Sequence, residues 1–187
     1  MEPSLAEVLL TKLVTSTVAR AYYKGIPEWM GLRGDEFVLD YGSGSGAASE
    51  FIAQRLAKGG GHLTCVDVST AWMQVVRSRL KGYSNVDYHV GDIEGLPLKE
   101  GVYDAILIHL VVHHVEVRQR LAKVRCLQRK LKAGGRLYVR EPTAERHGMK
   151  GEELRSLMKE AGLEEVQFVA IRPYGLIPMV QGVFRKD

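Results

Sequence analysis

The chain has 187 residues, of which 45% are apolar and 26% charged, and its formal net charge is +4. These values are typical of a soluble globular protein with one domain over residues 1–187, and the absence of an apolar run of about 18 residues argues against a membrane span. The two cysteines, Cys65 and Cys126, lie among apolar residues, which indicates a reduced, cytoplasmic protein and argues against a disulfide or a cysteine-based zinc site.

The predicted elements alternate between short apolar strands and longer amphipathic helices. Residues 4–23 predict a helix that precedes the sheet, so we expect an N-terminal helical segment at 1–34 and a core at 35–187. We predict strands at 36–42, 62–68, 86–92, 103–110 and 136–142, and helices at 47–57, 71–80 and 115–132. Ser69 or Thr70 can cap the second of these helices, and Ala133–Gly135 end the third.

The last 40 residues predict one more helix and a closing pair of strands. The helix lies at 150–161, and the strands lie at 166–171 and 179–184 with a turn at 172–178 between them. So short a connection predicts a hairpin, with the last strand antiparallel to its neighbours. Strand–helix alternation at this spacing indicates an open, mostly parallel α/β sheet.

Three glycines and an acid follow the first predicted strand, in VLDYGSGSG (38–46). In open α/β sheets, ligands bind beyond the carboxyl ends of the strands. Gly42, Gly44 and Gly46 therefore lie where a backbone can approach a ligand, although a tight turn without a ligand also uses glycines.

Acids also end the next two predicted strands. Asp67 stands 21 residues after Gly46, where a carboxylate can accept hydrogen bonds from both hydroxyls of a ribose. Asp92, in VGDIEGLP, can accept from an exocyclic amine of adenine. A strand can also end in Asp for turn formation alone, but together with the glycines these acids outline an adenosine site.

The dinucleotides NAD and FAD fit this pattern less well than a cationic ligand. Their fingerprint is G-x-G-x-x-G, and here the third glycine arrives one residue early. Asp40 would repel a pyrophosphate and would attract an amino group with a positive charge. S-adenosylmethionine combines adenosine with such a group.

Several motifs together resemble the class I S-adenosylmethionine-dependent methyltransferases. They are VLDYGSGSG, LTCVDVS, VGDIEGLP, YDAILIHLVVHHV and LKAGGRLYVREP, which span about residues 36–142. Within that family the chain is most similar to the small-molecule and lipid methyltransferases, including those of quinone biosynthesis. The resemblance implies a Rossmann-like, seven-stranded, mostly parallel sheet of order 3-2-1-4-5-7-6, with helices on both faces.

The same resemblance implies how the cofactor S-adenosylmethionine is held. The methionine part is assigned to Asp40, Gly42, Gly44 and Gly46, the ribose to Asp67, and the adenine to Asp92 with the backbone of Ile93; Ser43 and Val68 are further cofactor-binding residues. His109 falls where relatives often touch the cofactor, and Tyr22 and Tyr23 where an aromatic residue of the N-terminal segment often covers its methionine end. Both tyrosines can equally be core packing.

The candidates for a general base lie after the fourth and fifth predicted strands. They are His109, His113, His114 and Glu141. Histidine suits proton abstraction near neutral pH, and a base is needed only if the attacking atom must lose a proton. His113 and His114 can equally be a helix-entry pair without chemistry. His109 and His113 are four residues apart, but no third ligand stands at useful spacing, so we predict no metal site.

Between Val117 and Arg140 the chain carries nine basic residues and no acid. On a helical wheel, one apolar stripe faces the core, and cations flank it on the outer surface. The stripe consists of Val117, Leu121, Val124, Leu127 and Leu131. The flanking cations are Arg118, Arg120, Lys123, Arg125, Arg129, Lys130 and Lys132. We interpret this as a solvated face. An anionic partner, RNA or a membrane surface, is the alternative.

We predict methyl transfer to a small-molecule or lipid-like acceptor. At the end of the fourth predicted strand the chain reads IHLVVHH, without the Asn or Asp followed by Pro-Pro of nucleic-acid amino methyltransferases. Two alternatives stay open. One is an RNA methyltransferase that uses the basic 117–140 surface, and the other is a non-catalytic, cofactor-binding subunit that activates a partner.

Overall fold

The computed structural model describes residues 2–17, 19–144, 148–173 and 177–187. The chain forms two units, Met1–Leu96 and Pro97–Asp187. The predicted single domain therefore stays a prediction, and the predicted turn at 172–178 lies partly outside the described residues.

The sheet has seven strands in the order β3-β2-β1-β4-β5-β7-β6, as predicted. The first unit contributes β1 (Phe37–Tyr41), β2 (His62–Asp67) and β3 (Val86–Val90). The second contributes β4 (Tyr103–His109), β5 (Leu131–Pro142), β6 (Glu164–Ile171) and β7 (Met179–Arg185). The predicted Rossmann-like architecture and strand order are confirmed.

The strand register determines which residues lie together at the end of the sheet. In the first unit β1 and β2 are parallel, with Tyr41 opposite Val66, and β2 and β3 are parallel, with Asp67 opposite Val90. In the second unit β4 and β5 are parallel, whereas β7 is antiparallel to both β5 and β6. The predicted closing hairpin with an antiparallel last strand is therefore confirmed.

The interior strands are apolar because both of their faces are covered. Val38 and Leu39 in β1 are fully buried, as are Ile106, Leu107 and Ile108 in β4. A strand buried on both faces cannot alternate apolar and polar residues, which explains the continuous apolar run of β4.

The N-terminal segment forms three helices where one was predicted. They are α1 (Leu5–Ser16), α2 (Arg20–Lys24) and α3 (Ile26–Trp29). Ser4 and Glu7 form a capping box at the start of α1, and Thr17, outside helical geometry with φ −121° and ψ −92°, ends it. No helix within the described ranges is long and apolar enough to cross a membrane.

Helix α1 buries its polar side rather than its leucines. Thr15 is buried, whereas Leu5, Leu9, Leu10 and Leu13 are all more than half exposed. The leucine spacing therefore correctly predicts that this segment is a helix. Within the first unit, however, those leucines do not pack into the core.

The remaining helices flank the strands of their own units. They are α4 (Ala47–Leu56) and α5 (Thr70–Arg79) in the first unit, and α6 (Val117–Lys130) and α7 (Gly151–Glu160) in the second. Ser69 is the N-cap of α5, and its hydroxyl accepts from the backbone of Trp72. Helix α6 ends at Lys130 rather than at Ala133–Gly135, because the last carbonyls accept from Gly101 and Val102 and the chain continues directly as β5.

The predicted orientation of α6 is wrong at three positions. Val117 is 72% exposed, although it was predicted to lie in the core stripe. Lys123 and Lys130 are buried, although they were predicted to cover the outer surface, and the ammonium of Lys130 donates to the carbonyl of Leu98 at 2.6 Å. Long aliphatic stems allow lysines to occupy such positions while the charged end finds a polar partner.

Four cations of the basic stretch are paired with acids of their own unit. Arg118, Arg120, Arg129 and Lys132 pair with Glu116, Glu153, Glu100 and Asp104, respectively. These pairs supply the anions that the stretch itself lacks, and they favour the solvated-face interpretation over an anionic partner.

The connection between α4 and β2 depends on a glycine that has no room for a side chain. A Cβ at Gly61 would lie 2.6 Å from the carbonyl oxygens of Gly34 and Glu36. Those atoms belong to the backbone that leads into β1, so the clash cannot be relieved by a side-chain rotation.

We expect Gly61→Ala to lower the free energy of unfolding by about 1–3 kcal/mol, the usual range for overpacking. Gly82→Ala is the matched control, because a Cβ there meets nothing within 4 Å. Urea unfolding of both variants measures the difference, and equal effects would show that the approach of the two segments does not limit stability.

Candidate functional site

The glycine loop after β1 adopts a conformation that favours glycine. Gly42, Gly44 and Gly46 have φ angles of 76°, 50° and 71°, all in the left-handed region. The N–H groups of Gly42 and Ser43 donate to the carbonyl of Val66 at 2.8 and 3.0 Å, so the loop is attached to the end of β2. Gly46 then serves as the N-cap of α4.

Asp40 is a buried carboxylate at the start of this loop. It is 2% exposed, and its Oδ2 accepts from the Ser49 hydroxyl at 2.5 Å. Burial raises the pKa of Asp40 to about 6, an effect that the Ser49 hydrogen bond opposes and the charge of Asp67 reinforces. The sequence analysis missed Ser49, although a serine in the first turn of an otherwise apolar buried helix face is a detectable signal.

Asp67 holds the glycine loop and the start of α5 together. Its Oδ2 accepts from the Gly44 N–H at 2.8 Å, and its Oδ1 accepts from the Ser69 N–H at 2.9 Å. Its carbonyl accepts from Gly91 at the end of β3 at 2.9 Å. The structure thus brings together the ends of the first three strands, as the predicted adenosine site requires.

The residues predicted to bind the cofactor after β2 and β3 differ in exposure. Val68 is 57% exposed directly after Asp67, which leaves an apolar side chain beside the loop, whereas Ile93 is fully buried. The Asp92 carboxylate accepts from the Glu94 N–H at 3.1 Å, and the backbone carbonyl of Asp92 accepts from the Gly95 N–H at 2.9 Å. The exposed apolar side chain of Val68 provides a surface on which a flat ring can rest.

Tyr22 and Tyr23 pack edge to face, with ring centroids 5.3 Å apart. Burial raises the pKa of Tyr23 to about 12. The charges of Tyr22 and Asp40 also raise this pKa, whereas the positive charge of Arg79 lowers it. The Tyr23 hydroxyl therefore lies within the electrostatic reach of Asp40 and keeps its proton at neutral pH.

Glu2 attaches the N-terminal segment to the loop that follows Asp67. Its carboxylate accepts from the Ser69 hydroxyl at 2.6 Å and from the N–H groups of Thr70 and Ala71 at 2.9 and 3.2 Å. The Ser69 hydrogen bond lowers the pKa of Glu2, as expected for a carboxylate at a helix N-terminus. Sequence reasoning could not find this contact, because 67 residues separate the partners.

In the second unit, Glu141 lies inside β5 and is fully buried. Its Oε1 accepts from the N–H groups of Val111 and Val112 at 2.9 and 2.7 Å. Its Oε2 accepts from the His113 N–H at 3.4 Å and contacts His113 Nδ1 at 2.6 Å. Glu141 therefore holds the 3₁₀ turn Val112–His114 and the imidazole of its middle residue.

The other two predicted histidines have depressed basicity. Burial, followed by the charge of Arg140, lowers the pKa of His109 to about 3, so His109 is neutral near pH 7 and accepts protons weakly. Burial and His113, opposed by Glu141, lower the pKa of His114. The rings of His113 and His114 lie 3.9 Å apart. Among the described residues, no group of three or more metal-ligating side chains is assembled.

The comparisons with known proteins agree with this geometry. A demethylmenaquinone methyltransferase of Tropheryma whipplei (strain Twist) is 32% identical over 133 residues, which cover 70% of this chain and 52% of that protein. A ubiquinone/menaquinone biosynthesis C-methyltransferase of Pectobacterium atrosepticum is 27% identical over 136 residues, which cover 71% of this chain and 53% of that protein. The chain therefore spans about half the length of these curated relatives.

A solved structure and a family model extend the comparison. A crystal structure titled as a SAM dependent methyltransferase from Aquifex aeolicus superposes over 100% of both chains with a TM-score of 0.83 and 16% identity, which shows the shared fold. The family model described as "Methyltransferase domain" matches residues 39–139, which is more than half of the chain. The predicted resemblance is confirmed, and the chain belongs to the methyltransferase domain family.

Proposed function

We propose that this protein transfers the methyl group of S-adenosylmethionine to a small-molecule or lipid-like acceptor. The observation that carries the proposal is the buried Asp40 carboxylate beside three left-handed glycines, because a raised pKa in an enclosed loop marks a charge that lacks a cationic partner. Membership of the methyltransferase family supports S-adenosylmethionine as the ligand that supplies this cation.

The residues of the first unit fit the parts of this cofactor. Asp40 would hold the amino group, directly or through water, and the glycine loop would accommodate the methionine arm. Each oxygen of Asp67 accepts one backbone N–H, and a carboxylate oxygen has a second lone pair for a ribose hydroxyl. Val68 offers the exposed apolar surface for the adenine, and Tyr23 lies in the field of Asp40.

For methyl transfer the protein mainly has to position the acceptor atom relative to the methyl donor. S-adenosylmethionine, when bound, supplies a methyl group on a positively charged sulfur, which is an activated leaving group. The protein must hold the acceptor atom in line with that methyl group at about 3 Å, and such positioning can supply several kcal/mol of the barrier reduction. Asp40 and Asp67 are buried, with 2% and 8% of their surfaces exposed, which limits the access of water to the two carboxylates proposed to hold the donor.

The acceptor is proposed from the relatives. One is named a demethylmenaquinone methyltransferase and another a ubiquinone/menaquinone biosynthesis C-methyltransferase, which supports an acceptor that is a small or lipid-like molecule. We also propose that the chain works as one domain in the cytoplasm, where the buried free thiols of Cys65 and Cys126 would stay reduced.

Thermal unfolding with S-adenosylmethionine, S-adenosylhomocysteine and NAD tests the donor. A ligand at 100 times its dissociation constant adds about 2.7 kcal/mol, enough to raise the midpoint by a few degrees. We expect a shift with both adenosyl ligands. A shift with NAD alone, or no shift with the adenosyl ligands, would contradict the proposal.

Asp67→Ala should remove most of that ligand-induced shift, because it deletes the proposed ribose acceptor. It also removes the bonds to Gly44 and Ser69, so the shift is measured against the variant's own unliganded midpoint. Asp35→Ala is the control, because Asp35 is exposed and pairs with Arg33. A full shift in Asp67→Ala would show that the ribose lies elsewhere.

The affinity for S-adenosylmethionine should fall as the pH drops through about 6, because protonation of Asp40 removes the charge that attracts the amino group. Asp40→Asn should weaken binding about 10-fold above pH 6, the scale of a charge-assisted hydrogen bond, and should abolish this pH dependence. Calorimetric titration at pH 5, 6 and 7.5 measures both effects. An unchanged pH dependence in the variant would assign it to another group.

The same substitution should stabilise the unliganded protein. The pKa of Asp40 in the folded state lies above its ordinary value of 3.8, so the folded protein binds this proton more tightly than the unfolded chain does. The stability from this group is therefore fully present below about pH 4 and is lost as the pH rises through about 6. Asp40→Asn should raise the free energy of unfolding at pH 7.5 by about 1–3 kcal/mol, with the gain disappearing towards pH 4 in urea unfolding.

A further inference from the structure

One buried hydroxyl contacts the carboxylate that is proposed to hold the amino group of the cofactor. Ser49 lies in the first turn of α4 and is fully buried, and its Oγ donates to Asp40 Oδ2 at 2.5 Å. Within the described residues, no hydrogen bond reaches the other oxygen, Asp40 Oδ1. One carboxylate oxygen is therefore held by the protein, and the other is left for a ligand.

The start of α4 allows this contact because its first turn is built from small residues. Gly46, the N-cap, has a left-handed φ of 71°, and Ala47 and Ala48 are buried beside Ser49. A serine inside a helix commonly donates back to a carbonyl of the preceding turn. Here the hydroxyl donates instead to a side chain nine residues earlier in the chain, so the contact links the helix to β1.

The hydroxyl acts on a carboxylate whose negative charge the surroundings oppose. Burial is the largest effect that raises the pKa of Asp40 to about 6, and the charge of Asp67 raises it further, whereas the Ser49 hydrogen bond lowers it. A hydrogen bond donated to a carboxylate favours the ionised form, because the neutral acid accepts more weakly. Without this donor, Asp40 would therefore become neutral at a higher pH.

We propose that Ser49 is a positioning residue for the cofactor, because its hydroxyl holds the Asp40 carboxylate in the ionised form and leaves Oδ1 for the amino group of the ligand. Ser49 acts through Asp40 rather than by touching the ligand. This inference rests on the proposed function, since it assigns the charge of Asp40 to that amino group. Ser49 then sets the lower limit of the pH range in which the cofactor binds, and it affects only ligands that carry the amino group.

The charged and titratable groups that act on Asp40 or on its neighbours come from four elements. They are Asp67 and Cys65 of β2, Tyr23 of α2, Glu50 of α4 and Arg79 of α5. Burial raises the pKa of Cys65 and that of Tyr23, so both groups keep their protons near pH 6. Glu50 and Arg79 pair with each other at 3.2 Å. Asp67 is the other carboxylate of the site, so the titration has to be observed at Asp40 itself.

Carbon NMR of the aspartate-labelled full chain observes this carboxyl group without any ligand, and Asp40→Asn assigns its signal. In the wild type we expect a titration midpoint near pH 6. Ser49→Ala should raise the midpoint by about one pH unit, the scale of a hydrogen bond to a charged group. Ser49→Thr keeps a hydroxyl and should restore the wild-type midpoint. Equal midpoints in the wild type and in Ser49→Ala would overturn the proposal.

Calorimetric titration with two ligands tests the role of the amino group. S-adenosylhomocysteine carries that group, whereas 5′-methylthioadenosine has the same adenosine and thioether sulfur without it. At pH 6, Ser49→Ala should weaken S-adenosylhomocysteine binding about fivefold, because a midpoint raised by about one pH unit leaves that much less ionised Asp40. The affinity for 5′-methylthioadenosine should stay within about twofold, because this ligand brings no charge to Asp40. Ser78→Ala is the control, because Ser78 is an exposed serine of α5, and it should match the wild type.

The outcomes separate this inference from the proposed function. Equal losses of affinity for the two ligands in Ser49→Ala would show a general disturbance of the glycine loop. Unchanged S-adenosylhomocysteine binding in that variant at pH 6 would show that the hydroxyl does not support the charge. Either result overturns the inference and leaves the proposed function standing. Absence of S-adenosylhomocysteine binding to the wild type at every pH tested would count against the proposed function, and with it against the inference.

Discussion

Parallel pairing of β1 with β2 is the constraint on which the first unit depends. Parallel strands run in the same direction, so their carboxyl ends meet at one edge and their outgoing loops must share it. The carbonyl of Val66 accepts from both Gly42 and Ser43, and the side chain of Asp67 accepts from Gly44. The glycine loop therefore takes its shape from the end of the neighbouring strand, and the proposed cofactor residues follow from that pairing rather than from the loop alone.

Two buried carboxylates of this protein differ in the number of hydrogen-bond donors around them, and this number determines how well each negative charge is stabilised. Glu141 accepts from three backbone N–H groups and lies 2.6 Å from an imidazole nitrogen, so its oxygens are fully engaged in holding a turn. Within the described residues the Asp40 carboxylate accepts from Ser49, and burial raises its pKa to about 6. A rise of about two units corresponds to a destabilisation on the order of 3 kcal/mol above that pH. The Ser49 hydrogen bond stabilises this charge in part, and a cation placed beside it would stabilise it further.

The sequence predicts those parts of the structure that local pattern and motif spacing determine. Continuous apolar runs located the strands, and the motifs together implied the strand order. The errors lie where distant backbone contacts decide the outcome. Helix α6 ends at Lys130 because Gly101 and Val102 supply donors to its last carbonyls, and no residue near Lys130 signals that contact. The helical wheel likewise placed Lys130 outside, because a wheel does not register the carbonyl of Leu98 that accepts from its ammonium.

The same limit explains how the candidate site was only partly predictable. The proposed cofactor residues follow strands whose order the motifs implied, so their grouping was accessible from the sequence. His113 and Glu141 are 28 residues apart on different elements, and a sequence can name them only as separate candidates. Their roles diverge once the contacts are known. The buried acid loses its freedom to act as a base by holding the turn, and the imidazole it orients gains a defined lone pair. Burial also lowers the pKa of His109 to about 3, so this histidine of β4 accepts protons weakly. Buried contacts of this kind therefore distinguish residues that the sequence alone can only name side by side.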